Sequence, residues 1–332
     1  MNTEAAWNIT AADSELFRRE LDPFLPHSVF DAHAHFYRIE DFGANPPALV
    51  SEGPGTAGLA EFRDWSCRLT PRREYSALAF GFPAAGSDVE AANRFAAAEA
   101  RADRHSRAAM LVTPELDAEA VRATVRREKF AGLKCYHVYA GTQPTFEAEV
   151  GSYLTEDHVR VAHEERLTIT LHLVRARALA DPANQQAIRR YAERYPNARF
   201  VLAHAGRGFN PYHTIEGIQA LKGLRNVWFD TSAVCEGGAY EAIIETMGVG
   251  RLLYGSDYPV SLMRARPVAL GDSFLWISRE NTDFTAAYAD VAPSLTGLES
   301  LRVLKRACHH MRLSDTDVER IFWRNAAELF GL

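Results

Sequence analysis

Several histidines and one aspartate stand where apolar stretches of the sequence end, and these residue types can bind a metal ion. His33 and His35 belong to the apolar stretch that begins at residue 28, and Asp257 follows the stretch that ends at residue 256. On a strand, side chains two positions apart leave the same face, with a rise of about 6.6 Å. Two imidazoles at that separation can close around one metal ion.

His172 and His204 also stand at the ends of apolar stretches, which are predicted to be neighbouring strands. These four imidazoles and one carboxylate would then lie at one edge of the sheet. Burying so many polar groups costs free energy unless a ligand binds them. Nitrogen and oxygen donors suit a divalent cation such as zinc, and a site with an open coordination position is catalytic. The alternative is that the histidines are hydrogen-bonded core residues and that Asp257 caps a helix.

Eight short, β-rich apolar stretches predict eight strands. Most are apolar throughout rather than alternating, which is typical of parallel strands covered on both faces. Helical patterns separate them from the second strand onward. The predicted strands span residues 28–34, 75–82, 107–113, 130–139, 168–173, 199–205, 226–232 and 251–256.

Eight β/α units predict an α/β fold, the TIM barrel, in which chemistry lies at the carboxyl ends of the strands. An open doubly wound sheet is the alternative, but the chain has no GxGxxG turn. We expect a single domain over residues 1–332, with the barrel core at about 28–280. The sequence pattern predicts that residues 37–74 are a long insertion after the first strand. Residues 260–332 predict the eighth helix and extra C-terminal helices.

The composition, with 47% apolar and 24% charged residues and a net charge of −6, is that of an ordinary globular protein. The sequence has no cluster of lysines and arginines, so we expect no nucleic-acid partner. No apolar run reaches the roughly 18 residues of a membrane span, and the first residues lack the features of a secretory signal. Cys67, Cys135, Cys235 and Cys308 form no CxxC pair, which favours a reducing compartment. We therefore expect a cytoplasmic protein.

The motifs resemble the amidohydrolase superfamily, in particular its "amidohydrolase 2" branch of metal-dependent hydrolases and decarboxylases. The resemblance implies one divalent metal ion, zinc or alternatively manganese, with His204 beside the reacting water or substrate. It also implies a homo-oligomer, a dimer or larger. The implied metal ligands are His33, His35, His172 and Asp257. The matching sequences are His33-Ala34-His35, His172, His204, Gly255-Ser256-Asp257-Tyr258-Pro259 and the C-terminal residues 325–332.

Two basic residues have open roles. Lys134, in the fourth predicted strand, is one of only four lysines in the chain. In binuclear members of the superfamily a lysine on this strand is carboxylated and bridges two metals, so a second metal is expected only in that case. The alternatives are a substrate contact and a structural ion pair. Arg207, three residues after His204, is placed to bind an anionic substrate group, with solvation at the surface as the alternative.

The expected activity is hydrolysis of an amide, lactone or ester bond in a small molecule, carboxylated or not. Asp257 would accept a proton from the attacking water, and His204 would orient the water or stabilise the oxyanion. Tyr258 and the apolar run 274–277 are candidates for the pocket wall, although such a run is more often core or interface. The alternative activity is non-oxidative decarboxylation of an aromatic or dienoic carboxylic acid, because the branch contains both reaction types. A non-catalytic barrel that binds a metal or a partner is the third hypothesis.

Overall fold

Eight parallel strands form the centre of the molecule, and one short antiparallel strand pairs with the first of them. The computed structural model describes residues 7–286 and 293–332, so expectations for residues 1–6 and 287–292 lie outside the described part. The sheet order is β2-β1-β3-β4-β5-β6-β7-β8-β9. These strands are β1 (Ser28–Arg38), β2 (Thr56–Ala57), β3 (Glu74–Gly81), β4 (Arg107–Val112), β5 (Gly132–Cys135), β6 (Thr168–Leu171), β7 (Arg199–Leu202), β8 (Val227–Asp230) and β9 (Leu252–Leu253).

The chain that follows β9 closes the sheet by pairing with β1. The backbone N–H of Ala32 donates to the carbonyl of Tyr254 at 2.8 Å, and the N–H of Asp257 donates to the carbonyl of His33 at 2.9 Å. The last parallel strand therefore lies directly beside the first. The predicted TIM barrel is confirmed.

Helices cover the outside of the barrel between the strands. Asp88, Asp117 and Asp181 begin three of them, because each carboxylate accepts a hydrogen bond from an N–H of the first turn. Within the described ranges, no helix is long and apolar enough to cross a bilayer. The α-helices are Ala11–Leu16, Ala48–Ser51, Leu59–Leu69, Val89–Arg101, Ala118–Glu128, Glu156–Glu164, Pro182–Arg194, Pro211–Gly217, Gly237–Met247, Thr296–His310, Asp315–Glu319 and Asn325–Phe330.

The predicted insertion at residues 37–74 is shorter than expected and contains one helix of the barrel. β1 continues to Arg38 and pairs there with β2, so the first two residues of the segment belong to the sheet. The helix Leu59–Leu69 leads back to β3, and Arg63 Nε donates to the carbonyl of Tyr75 at 2.8 Å. The segment outside the barrel pattern is therefore residues 39–58.

A β-hairpin follows β9, where the sequence pattern indicated only helices. Its strands are β10 (Ala265–Leu270) and β11 (Ser273–Ser278). Asn210 Nδ2 donates to the carbonyls of Gly271 and Ser273 at 3.0 and 2.9 Å, which attaches the turn of the hairpin to the barrel. A two-stranded ribbon is marginal without such contacts, so tertiary structure decides this element.

The C-terminal helix closes the amino-terminal end of the barrel, opposite the edge where the histidines lie. Phe330 stacks on Phe30 with ring centroids 5.3 Å apart. Leu329 and Phe330 pack with Leu78 and Val201 in one buried cluster inside the barrel. The last residues of the chain are therefore part of the hydrophobic core.

Replacing Phe330 with alanine is expected to lower the free energy of unfolding by about 3 kcal/mol, because the ring is only 8% exposed and would leave a cavity. Urea titration followed by circular dichroism measures the change. Leu270→Ala is the control, because Leu270 is 66% exposed and should change stability by less than about 0.5 kcal/mol. Equal effects of the two substitutions would contradict a core role for the C-terminal helix.

Candidate active site

The carboxyl ends of β1 and β9 bring two histidines and one aspartate together. Nε2 of His33 and Nε2 of His35 each lie 3.3 Å from Oδ1 of Asp257. All three side chains are buried. The barrel seam between β9 and β1 is thus the place where three of the proposed metal ligands meet.

The protonation of these histidines follows from their other contacts. Nδ1 of His33 lies 2.9 Å from Oδ2 of Asp230, and Nδ1 of His35 lies 3.2 Å from the carbonyl oxygen of Gly81. Both partners only accept hydrogen bonds, so each Nδ1 carries the proton and each Nε2 keeps a lone pair. Burial, and then the charge of Lys134, lower the pKa of His33 to about 3, which keeps this ring neutral.

A buried aspartate and a glycine hold the two sides of the seam together. Oδ1 of Asp31 accepts hydrogen bonds from the N–H groups of His33 and Ser256, both at 2.9 Å. Burial raises the pKa of Asp31 to about 7. A Cβ at Gly255 would lie 3.0 Å from Cβ of His33, so a larger residue would push the two segments apart by a few tenths of an ångström. Both contacts fix where Asp257 meets β1.

Asp230, at the end of β8, is a site residue that the sequence reasoning missed. Its Oδ2 accepts from His33, and its Oδ1 accepts from the N–H groups of His204 and Ser232 at 2.8 and 3.1 Å. Burial by itself would raise the pKa of Asp230, but His33, and then His204 and Ser232, lower it to about 2. Asp230 ends a predicted strand, and that position was the available signal.

His172 and His204 contact each other, and His204 also lies beside the first group, with its Nδ1 3.9 Å from Oδ2 of Asp257. Nδ1 of His172 lies 3.1 Å from Nε2 of His204, and Nδ1 of His204 lies 3.0 Å from the carbonyl oxygen of Ser232. Burial, and then the charge of His204, hold the pKa of His172 well below its usual range. Among the described residues, the two groups with metal-ligand spacing are His33 with His35 and Asp257, and His33 with His204 and Asp230.

The backbone after β7 forms a left-handed turn. His204, Ala205, Gly206 and Arg207 have φ angles of 56°, 54°, 72° and 62°. Three of these residues carry a Cβ, and each costs roughly 1–2 kcal/mol in this conformation. Such strain persists only where surrounding contacts hold it, and it is typical of functional sites. The turn replaces the end of the predicted strand 199–205 and directs His204 towards His172.

A model of the amidohydrolase family matches residues 30–332, which is most of the chain. The chain belongs to the amidohydrolase family. The family predicted from the sequence is therefore confirmed, and with it the prediction of an enzyme.

Solved structures with the same fold have low sequence identity to this amidohydrolase. An amidohydrolase from Burkholderia multivorans with bound zinc is 16% identical, with a TM-score of 0.58 over 92% of this chain and 99% of that one. A probable 2-pyrone-4,6-dicarboxylic acid hydrolase from Acinetobacter baumannii is 14% identical, with a TM-score of 0.57 over the same shares. The 5-carboxyvanillate decarboxylase from Sphingomonas paucimobilis is 13% identical, with a TM-score of 0.57 over 92% of this chain and all of that one (100%). No curated protein matches the chain.

Lys134 of this amidohydrolase lies inside the barrel and faces the histidines. Its Nζ lies 3.1 Å from Nε2 of His33, and 4.7 Å from the ring centroid of Phe80. Burial lowers the pKa of Lys134 to about 8, although Asp230 and Asp257 partly offset this effect. Within the described part of the chain no carboxylate lies within ion-pair distance of Nζ. The structural ion pair considered for Lys134 is therefore not present there.

Arg207 lies at the rim of the same end of the barrel. Its Nη1 donates to the carbonyl of Arg175 at 2.9 Å. Its guanidinium carbon lies 5.7 Å from the ring centroid of Phe146 and 5.2 Å from that of Phe274. Burial lowers the pKa of Arg207, but a guanidinium stays charged in proteins. Arg207 is therefore only partly solvated, and it does not stand free at the surface.

The two candidate walls have different positions. The ring of Tyr258 packs 5.6 Å from Trp7 and 5.3 Å from Phe62, in an aromatic cluster behind β1. Phe274 lies beside Arg207, and its ring centroid is 4.9 Å from that of Phe209. The hairpin β10–β11 thus contributes to the rim of the site, whereas Tyr258 belongs to the core.

Proposed function

We propose that this amidohydrolase binds one divalent metal ion through His33, His35, His172 and Asp257, with zinc expected and manganese as the alternative. The observation that carries the proposal is that two unprotonated Nε2 atoms each lie 3.3 Å from one carboxylate oxygen. Lone pairs facing one another without a proton between them repel, and a cation among them removes that repulsion. Zinc accepts this donor set, and metal-binding histidines typically donate their other N–H as His33 and His35 do.

A structural neighbour was solved with bound zinc, which supports zinc as the metal to test first. The inclusion of His172 rests on the family resemblance. Binding through its Nδ1 would replace its hydrogen bond to His204. His204 would then be available to water or substrate.

The chemistry proposed for this site is metal-assisted. A divalent cation acts as a Lewis acid towards a carbonyl oxygen and makes water more acidic. Asp257 would accept the proton of the attacking water and deliver it to the leaving group. His204, whose Nδ1 is held by the carbonyl of Ser232, would orient the water or stabilise the developing oxyanion.

Lys134 has two proposed roles that agree with its position beside His33. A neutral lysine can be carboxylated and bridge two metals, or an ammonium can contact the substrate. Its hydrogen bond to Nε2 of His33 uses the same lone pair that a metal would use. A bound metal would therefore release Lys134, and we expect it to contact substrate when one metal is present.

The proposed reaction is hydrolysis of an amide, lactone or ester bond of a small molecule, in which Arg207 binds an anionic group. The alternative is non-oxidative decarboxylation of an aromatic or dienoic acid. A hydrolase and a decarboxylase both share this fold, so both reactions should be tested. Arg207 favours an acidic substrate in either case.

We also propose a single domain over residues 1–332 that forms a homo-oligomer and acts in the cytoplasm, without nucleic-acid partners. The four cysteines are free, which supports a reducing compartment. Light scattering coupled to gel filtration measures the oligomeric state.

Metal content per chain is the first test of this proposal. Protein purified without chelator should contain about one equivalent of zinc or manganese by mass spectrometry, because one cation satisfies the proposed ligands. Close to two equivalents would instead support a carboxylated Lys134. No bound metal, even after zinc or manganese is added back, would overturn the proposed metal site and the metal-assisted reaction.

A substrate panel distinguishes the two reactions. The probes are 2-pyrone-4,6-dicarboxylate for hydrolysis, and 5-carboxyvanillate with 2,6-dihydroxybenzoate for decarboxylation. Ring opening changes the ultraviolet spectrum without release of carbon dioxide, whereas decarboxylation releases it. We expect turnover in the first assay that is lost with a chelator and restored by metal. Release of carbon dioxide without turnover in the first assay would contradict hydrolysis and support decarboxylation as the reaction.

A further inference from the structure

Two series of aromatic rings connect the histidines of the site with Arg207. The first wall consists of Tyr136, His137 and Phe146. The ring of Tyr136 lies 4.5 Å from that of His172, and the rings of His137 and Phe146 are 4.5 Å apart. This wall therefore begins beside one proposed metal ligand and ends at the guanidinium of Arg207.

The second wall consists of Phe209 and Phe274. The ring of Phe209 lies 5.2 Å from that of His204 and 4.9 Å from that of Phe274. Phe274 is carried by the hairpin β10–β11 and ends this wall at the guanidinium of Arg207. Both walls thus connect the centre of the site with the same positive group.

The guanidinium between the two walls has unused hydrogen-bonding capacity. A guanidinium has five N–H groups, and in the described part of the chain Arg207 makes one hydrogen bond, to the carbonyl of Arg175. No carboxylate within that part pairs with it, unlike Arg175, whose Nε donates to Asp181 at 2.9 Å. A partly buried charge without a counter-ion is stabilised by an anionic ligand.

We propose that the substrate is a flat, conjugated carboxylic acid whose carboxylate binds Arg207 while its ring contacts Phe146 and Phe274. The proposal rests on the proposed function, because it places the reacting bond at the histidines. Phe146 and Phe274 are then specificity-determining residues. Aromatic rings favour stacking with a flat partner over a puckered one, and the guanidinium suits a planar carboxylate in bidentate geometry.

The position of Arg207 also assigns the role of that carboxylate. Along the second wall, Phe209 and Phe274 lie between His204 and the guanidinium. We therefore expect a carboxylate bound at Arg207 to be a different group from the one that reacts at the histidines, and to remain in the product. If the reaction is a decarboxylation, the substrate must carry a second carboxylate at the histidines.

Binding of simple acids tests the proposal without knowledge of the natural substrate. The ligands are benzoate, cyclohexanecarboxylate, which has the charge without the flat ring, and benzamide, which has the ring without the charge. Dissociation constants are measured by ligand-observed NMR with the full chain, both metal-loaded and chelator-treated. We expect benzoate to bind at least 10-fold more tightly than either analogue in both forms. The chelator-treated form excludes binding of the carboxylate to the metal.

The variants separate charge from shape. Arg207→Gln should lower the affinity for benzoate to that for benzamide. Arg207→Lys should keep only part of the difference between the two affinities. Phe274→Leu and Phe146→Leu should bring benzoate within about 2-fold of cyclohexanecarboxylate while keeping the preference over benzamide. Tyr212→Leu is the matched control, because Tyr212 is an aromatic residue outside both walls and is 62% exposed.

Three results would overturn the inference: no preference for benzoate in the wild type, unchanged binding in Arg207→Gln, or an effect of Tyr212→Leu equal to that of Phe274→Leu. The metal content of every variant is measured alongside. Loss of binding with metal retained identifies a role for Arg207 in binding rather than in folding. A wild type that lacks metal but prefers benzoate would contradict the proposed function and leave the anion site supported.

Discussion

Replacing Asp257 with asparagine is expected to lower kcat by about 10³-fold, because an amide cannot accept the proton of the attacking water. Its remaining oxygen can still serve as a ligand beside His33 and His35, so most of the metal should stay bound. The measurement is kcat on the panel probe that the wild type turns over, with metal content per chain determined on the same sample.

Asp157→Asn is the control for this substitution, because Asp157 is 70% exposed and, among the residues that the structure describes, pairs only with Arg160 on the surface. It should leave kcat unchanged. Near-normal turnover in Asp257→Asn would contradict the role of Asp257 as proton acceptor. Loss of the metal together with activity would reduce its role to that of a ligand.

Replacing Asp230 with alanine is expected to weaken metal binding about 10–100-fold, although Asp230 need not touch the metal. Its carboxylate holds the proton on Nδ1 of His33 and so leaves Nε2 free as a ligand. The same substitution leaves the buried N–H groups of His204 and Ser232 without their acceptor. We therefore also expect the metal-free protein to lose about 2 kcal/mol or more of stability.

Competition with a fluorescent chelator measures the metal affinity, and thermal unfolding of the metal-free protein measures the stability. Asp272→Ala is the matched control, because it also removes an aspartate–histidine contact, of 3.1 Å to the buried His213, but the carboxylate of Asp272 is 66% exposed. We expect little change in either quantity. Unchanged metal affinity in Asp230→Ala would show that β1 positions His33 without help from β8.

The barrel itself was predictable from the amino-acid sequence. Strands that are covered by helices on one face and by the barrel interior on the other are apolar throughout, and this signal is local. All eight predicted strands are present, with β1 longer and most of the others shorter than expected. Barrel closure then places the residues after β9 beside β1, which is why the meeting of Asp257 with His33 and His35 could be anticipated.

Where each strand ends was less predictable. The fourth strand was expected over residues 130–139, but β5 ends at Cys135, because apolar residues continue beyond the hydrogen-bonded ladder. The expected strand 199–205 ends at Leu202 and continues into the left-handed turn. Alanine and histidine have no local preference for that conformation, so only the packing around the turn selects it.

The amino-acid sequence was sufficient to predict the fold class, the end of the barrel that carries the chemistry, and the residue types that stand there. Which of those side chains form hydrogen bonds or charge contacts with one another depends on the folded structure. Asp230 became a partner of His33 through a contact between residues 197 positions apart, and Phe274 reached Arg207 through a hairpin that sequence periodicity did not indicate. Such pairings depend on how strands and loops from distant parts of the chain approach one another. Local patterns of hydrophobicity do not contain that information.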